Sequence, residues 1–282
     1  MPAIRIRAMR TDDIPFGMRL KESAGWNQTE ADWRRFIALQ PDGIWVAELA
    51  GRDVGTTATF IFDTIAWIAM VLTAQAFRGQ GIATALMEHA LRWLDRDGID
   101  TIRLDATPLG RSVYARLGFV AEGEVVRYEG TSRQVTPATP VTRLTGPDGL
   151  PGIAQLDQEA TGTNRRRLLE LMCAEAEVTT LGIRVDGELS GYAMVRPGTR
   201  AVQIGPCIAL DELSAISLLN AAAAHASGAP TFIDIPLGNR PACRWAETAG
   251  LSVQRTFTRM KRGKPVRENL ERLWAGSGPE KG

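Results

Sequence analysis

Histidine is almost missing from this chain of 282 residues, which holds only His89 and His225. Zinc hydrolases built on two or three imidazole ligands therefore lack their raw material, and no Cys-x-x-Cys pair offers thiolates instead. A serine or cysteine triad would have to recruit one of these imidazoles. His89 falls in an amphipathic helical stretch and His225 in an alanine-rich one, positions that suit packing. GxSxG, HExxH and the Walker lysine motif are absent as well, so no metal and no hydrolytic triad is expected. The three cysteines, Cys173, Cys207 and Cys243, are odd in number and widely spaced, as expected of reduced thiols in a cytoplasmic protein. Charge of either sign is not in excess. With 33 basic and 32 acidic residues, the net +1 gives no global field for nucleic acid or an anionic membrane, and any anion site must be local. The longest uncharged run, Ala215 to Ile233, is broken by Ser217, Asn220, Gly228 and Pro230 and reads as helix, turn and strand rather than a membrane span. Residues 1–7 alternate like a strand and lack the apolar region of a signal peptide.

What is present reads as ordinary globular chain, with 44% hydrophobic and 23% charged residues. Ile4 to Met9 suggests a strand, and Thr11-Asp12-Asp13-Ile14-Pro15 a capped helix start with proline in the first turn. Thr29 and Asp32 stand at capping-box spacing before a second helix. Three β-rich segments follow, Gly43–Leu49, Val54–Phe60 and Ile65–Leu72, as in a meander. Leu86, Met87, Ala90, Leu91 and Leu94 then recur at helical spacing up to Gly98. After a strand at Thr101–Ala106, Pro108-Leu109-Gly110 reads as a turn, Arg111–Leu117 as a short helix and Phe119–Tyr128 as a last strand. This order indicates an α/β or α+β domain.

The chain also resembles itself. At an offset of 132 residues, Ala83 and Leu86 fall on Ala215 and Leu218, Gly118 and Phe119 on Gly250 and Leu251, and Arg127 on Arg259. A duplicated fold is expected, divided as 1–130, a linker at 131–139, a second copy at 140–262 and a tail at 263–282. The copies differ where chemistry would sit. Arg78, Gly79 and Gly81 become Leu210, Asp211 and Leu213, and Tyr114 becomes Ala246. Asp211 and Glu212 would repel an anion at the second helix start.

Arg78-Gly79-Gln80-Gly81-Ile82-Ala83 joins a strand to a helix. Glycines let backbone N–H groups approach a ligand, and a helix start presents unpaired donors, so the loop reads as a pyrophosphate cradle or, more plainly, as a tight turn. The third glycine of a dinucleotide fingerprint is missing. Val71-Leu72-Thr73 followed by Arg78-x-x-Gly81-x-Ala83 resembles motif A of the GCN5-related N-acetyltransferase (GNAT) superfamily. Tyr114-Ala115-Arg116-Leu117-Gly118-Phe119 resembles its Tyr-x-x-Leu-Gly-Phe motif. The whole chain resembles tandem bacterial acetyltransferases with a degenerate second copy.

The resemblance implies two tandem GNAT folds, each a mixed, mostly antiparallel sheet flanked by helices. It implies an acetyl-CoA-dependent N-acetyltransferase acting on a primary amine of a small molecule or peptide, by direct attack in a ternary complex. A non-catalytic acyl-CoA sensor or interaction module is the alternative. Acetyl-CoA would meet Val71, Leu72 and Thr73, then Arg78, Gly79, Gln80, Gly81, Ile82, Ala83 and Thr84. Tyr114 matches the family's general acid, against a reading as a packed core tyrosine. Asp105 is the candidate base, against a water relay or a role capping the Pro108-Leu109-Gly110 turn; Asp63 and Glu22 are weaker candidates. Trp26, Asn27 and Trp33 are expected to touch substrate or, more simply, to pack helices on the sheet. A homodimer is compatible with this reading; nucleic acid and membrane partners are not expected.

Overall fold

The computed structural model describes residues 3–133, 136–145, 149–226 and 228–282. The first half runs β1 (Arg5–Ala8), α1 (Ile14–Ser23), α2 (Glu30–Leu39), β2 (Ile44–Leu49), β3 (Arg52–Phe62), β4 (Ile65–Thr73), α3 (Ile82–Arg96), β5 (Thr101–Ala106), α4 (Pro108–Arg116) and β6 (Val120–Gly130). The second half repeats that order as β7 (Thr142–Arg143), α5 (Leu150–Thr161), α6 (Arg166–Ala174), β8 (Thr179–Val185), β9 (Glu188–Arg196), β10 (Val202–Ala209), α7 (Glu212–His225), β11 (Thr231–Pro236), α8 (Arg240–Thr248) and β12 (Ser252–Gly263). A thirteenth strand, β13 (Leu273–Ala275), follows. α8 starts 132 residues after α4, and β12 the same distance after β6, so the expected duplication is present. Among the described residues no helix is long and apolar enough to cross a membrane.

Local chemistry explains most boundaries. Thr29 accepts from the Asp32 amide, and Asp32 accepts from the Thr29 amide at 2.8 Å, closing the box that starts α2. Ile82, Leu86, Met87, Ala90, Leu91 and Leu94 form the buried stripe of α3. Two expectations differ. Asp13 does not cap α1, because its carboxylate is spent on the Arg7 guanidinium and the Arg10 amide. Pro108-Leu109-Gly110 is the first turn of α4 rather than a separate turn, capped by Thr107, so Asp105 has no capping role there.

The strands form one 13-stranded sheet in the order β1-β2-β3-β4-β5-β12-β6-β11-β10-β9-β8-β7, with β13 on β10. Each half therefore gives its last strand to the other. β12 pairs antiparallel with β5, and β6 pairs antiparallel with β11. The seam carries two matching ion pairs, each a bidentate guanidinium–carboxylate fork. Arg259 donates to Asp105 at 2.9 and 3.0 Å, and Arg127 donates to Asp234 at 2.8 Å through both nitrogens. Trp67 lies under both Arg103 and Arg259, 5.1 and 4.9 Å from its ring centre. A chain division at residues 131–139 is thus not a division in space. One apolar cluster also joins Trp33 and Phe36 of α2 to Leu168, Leu169 and Met172 of α6. The residues expected as a tail are interior: Ser277, Glu280 and Lys281 are buried.

Candidate active site

β4 and β5 pair in parallel only from Ile65↔Thr101 to Trp67↔Arg103. Beyond Trp67 the two strands part, and the gap holds about 620 Å³ of unfilled space including its mouth. A bulge shapes its wall. The β3–β4 register slips opposite Thr57, and Met70 is held at φ 52°, a costly conformation for a long side chain. The Thr56 hydroxyl donates to the Met70 carbonyl at 2.9 Å and fixes the distortion. Met70 and Val71 line the gap, while Leu72 points into the core. The Thr73 hydroxyl oxygen is buried with no hydrogen-bond partner among the described residues.

The glycine loop leads from this wall to α3. Gly79 and Gly81 take φ 76° and 78°, and a Cβ at either would meet nothing within 4 Å, so the space in front of the loop is open. The first helical bond runs from the Ala85 amide to the Gly81 carbonyl, and no described carbonyl accepts from the amides of residues 79–84. Arg78, Gln80 and Gly81 are exposed, and Ala83 and Thr84 are partly so. Ile82 buries its side chain in the core and presents only backbone to the loop.

The corresponding place in the second half is closed twice. β10 and β11 are parallel only through Ile204↔Ile233, but β13 fills the space beyond by pairing with Cys207 and Ile208. Asp211 caps α7 by accepting from the Ser214 amide at 2.8 Å, which takes up a donor an anion would need and puts a negative charge in its place.

Tyr114, in α4, lines the open gap with its ring edge-on to Phe119. Burial pushes its phenol up to about 12, so it stays protonated at neutral pH. Its seat depends on Gly110, one helical turn earlier, where a Cβ would lie 2.7 Å from the Tyr114 ring. Asp105 does not have the freedom of a base. Its side chain has no exposed surface, both oxygens accept from Arg259, and the gap meets its backbone. Burial raises its carboxyl above the ordinary value despite Arg259. The twin pair Arg127–Asp234 performs the same bridging at the closed second site, which identifies both as seam contacts. Asp63 and Glu22 are exposed and do not line the gap.

Of the three expected substrate contacts, only Trp26 lines this gap. Trp33 is fully buried, packed beneath Gly17 in the core, so the packing reading applies. Asn27 is consumed as a latch between halves: its carbonyl accepts from the Arg200 and Ala201 amides at 2.9 and 3.0 Å, and its amide donates to the Ala201 carbonyl. Among the residues that sequence reasoning did not single out are Gln28, Gly110, Arg255 and Glu280. Gly110 carried a readable signal, a glycine four positions before the motif tyrosine. Arg255 and Glu280 enter only because β12 and the C-terminal residues cross to the first half. Among the described residues no group of three or more His, Cys, Asp or Glu side chains is placed to hold a metal ion.

Comparison with known proteins accords with this architecture. The profile of the Acetyltransferase (GNAT) family matches residues 11–119, and that of an Acetyltransferase (GNAT) domain matches residues 153–275. The uncharacterized N-acetyltransferase YitH of Bacillus subtilis is 24% identical, over 78% of this chain and 77% of its own. Holothin acyltransferase of a Pseudoalteromonas species is 23% identical, over 75% and 71%. Among solved structures, a proposed acetyltransferase from Pyrococcus horikoshii is 25% identical, with a TM-score of 0.87 over 99% of this chain and 96% of that one. A tandem GNAT protein from the clavulanic acid biosynthesis pathway shares the fold at 15% identity, with a TM-score of 0.68 over 94% and 100%. With two GNAT profiles matching in series on one duplicated fold, the chain belongs to the GNAT superfamily as a tandem protein.

Proposed function

We propose that the first half is an acetyl-CoA-dependent N-acetyltransferase, passing an acetyl group directly to the primary amine of a small molecule or peptide in a ternary complex. One observation carries this reading. Of two equivalent clefts, the first keeps an open gap and a row of free amides, while the second is filled by β13 and capped by Asp211. The amides of Gly79 through Thr84, with Arg78 beside them, suit a pyrophosphate. The orphan Thr73 hydroxyl and the unpaired edge of β4 at Val71 suit a pantetheine arm. Acyl-CoA supplies the activated acyl group; the chain supplies orientation and proton management.

An ammonium near its usual pKa must first lose a proton, which goes to water in the gap. The free amine nitrogen then bonds to the thioester carbon, and an N–H near Val71 steadies the developing oxyanion. As the carbon–sulfur bond breaks, the Tyr114 phenol donates its proton to the departing thiolate. The amide nitrogen sheds its surplus proton to solvent, from which Tyr114 is restored. The second half builds the seam and completes the acceptor side of the gap.

Calorimetry with CoA and a thiol-release assay over a panel of amines test the reading. Wild type is expected to bind CoA, Gly81→Glu to lose binding, and Tyr114→Phe to bind normally with kcat lower by about 10²–10⁴-fold. Absence of CoA binding to wild type refutes the site. Unchanged turnover in Tyr114→Phe removes that residue from the chemistry.

A further inference from the structure

β12 brings into the gap a guanidinium that the fold does not use. Arg255 is half-buried and lines the cavity beside Trp26, Tyr114 and Phe257. Its Nε donates to the Gln254 side-chain oxygen Oε1 at 2.9 Å, and no carboxylate of the described residues forms an ion pair with it. The buried arginines Arg103, Arg127, Arg196 and Arg259 all have carboxylate partners. Arg255 also sits directly opposite Arg127 in the β12–β6 ladder, so two guanidiniums share one face. Like charges directly opposed are destabilising. Burial, then the charges of Arg127 and Arg200, push its pKa below the ordinary value.

The internal symmetry separates this residue from the structural arginines. Arg127 and Arg259 are twins at the offset of 132, and each bridges the seam. Arg255 has Gly123 as its counterpart, which has no side chain at all. A register slip between Val253 and Arg255 marks a bulge in the strand that carries it. Gln28, which also lines this cavity, holds a second unfilled group. Gln28 donates from its amide nitrogen to Glu280 at 3.3 Å, which leaves its carbonyl oxygen buried with no donor among the described residues. A buried acceptor left without a donor is costly, and an incoming amine N–H supplies one.

We propose that the acceptor is a small primary amine that also carries a carboxylate, an amino acid, with its carboxylate held by Arg255 and its amine N–H directed to the Gln28 carbonyl oxygen. This rests on the acyl-transfer reading above. A guanidinium binds a carboxylate through two parallel hydrogen bonds, and the bound anion also relieves the repulsion from Arg127. The second half thereby reads the acceptor while the first half performs the transfer.

Matched pairs test it: each of several amino acids against the amine left when its carboxylate is removed, by thiol release, in wild type, Arg255→Gln and Arg255→Lys. In wild type the amino acid of a pair is expected to win by about tenfold or more in kcat/KM, through KM. Arg255→Gln is expected to fold at least as stably as wild type and to bring that ratio to about one, with Arg255→Lys between them. Equal use of both members by wild type, or a preference that survives in Arg255→Gln, overturns the assignment and leaves acyl transfer standing. If no amine is acetylated, acyl transfer fails, and calorimetric titration of the same pairs onto CoA-loaded protein decides the rest. Tighter binding of the amino acid by about tenfold, lost in Arg255→Gln, supports the anion site, and equal affinities refute it.

Discussion

Replacing Asp105 by asparagine separates a seam contact from a catalytic base. The side chain is fully buried and both oxygens accept from Arg259, so the substitution leaves a buried guanidinium without its principal counter-charge. Removing one partner of such a pair costs about 3–5 kcal/mol. Arg259 keeps Glu268 at 3.2 Å and the face of Trp67, which places the expected loss near about 3 kcal/mol. Asp234→Asn is the internal control, because Arg127 has no second carboxylate within ion-pair distance among the described residues. Its loss is expected near about 5 kcal/mol, although Asp234 stands far from the glycine loop in the chain. Urea unfolding reads both losses, and kcat per folded molecule is expected to fall less than about tenfold in each. Asp105→Leu with Arg259→Met is expected to recover much of the stability, since an apolar pair removes both desolvated charges together. Wild-type stability of Asp105→Asn with a loss of about a thousandfold in kcat, or a folding effect confined to Asp105 of the two carboxylates, refutes the seam assignment.

Two further outcomes follow from the geometry around Tyr114. Gly110→Ala adds a methyl 2.7 Å from the Tyr114 ring, which must turn away; kcat is expected to fall about tenfold to a hundredfold while thermal stability holds, and an unchanged kcat refutes the seating. A general acid acts in its protonated form and is lost as pH rises through its pKa. With the Tyr114 phenol pushed up to about 12, the part of kcat that Tyr114→Phe removes is expected to stay level through pH 10, and its disappearance below that pH refutes the assignment.

Features that depend on neighbours in the chain were legible in advance. The strand order of the first meander, the stripe of α3, the capping box at Thr29 and the glycine loop rest on periodicity or spacing within a few residues, and the duplication on such local patterns recurring 132 residues on. So does the blocked second loop, since Asp211 caps the helix it precedes. The partner of Asp105 is not legible for the opposite reason: an aspartate at the end of a strand beside a glycine-loop motif looks the same whether it meets solvent or a guanidinium 154 residues away. Trp33 and Asn27 likewise look like entry-loop residues in the sequence, and only packing shows one in the core and the other latched to residues 200–201.

Sequence alone determined that the chain holds two copies of one fold and which copy keeps the glycine loop, because side-chain spacing and turn residues are written in the residue order. Tertiary structure alone decided that the copies exchange β6 and β12, that β13 closes the second cleft, and that Arg255 and Glu280 finish the first. Strand pairing over such distances depends on which edges are free once the sheets assemble, and backbone hydrogen bonds, common to nearly every residue, leave no mark of that choice in residue order.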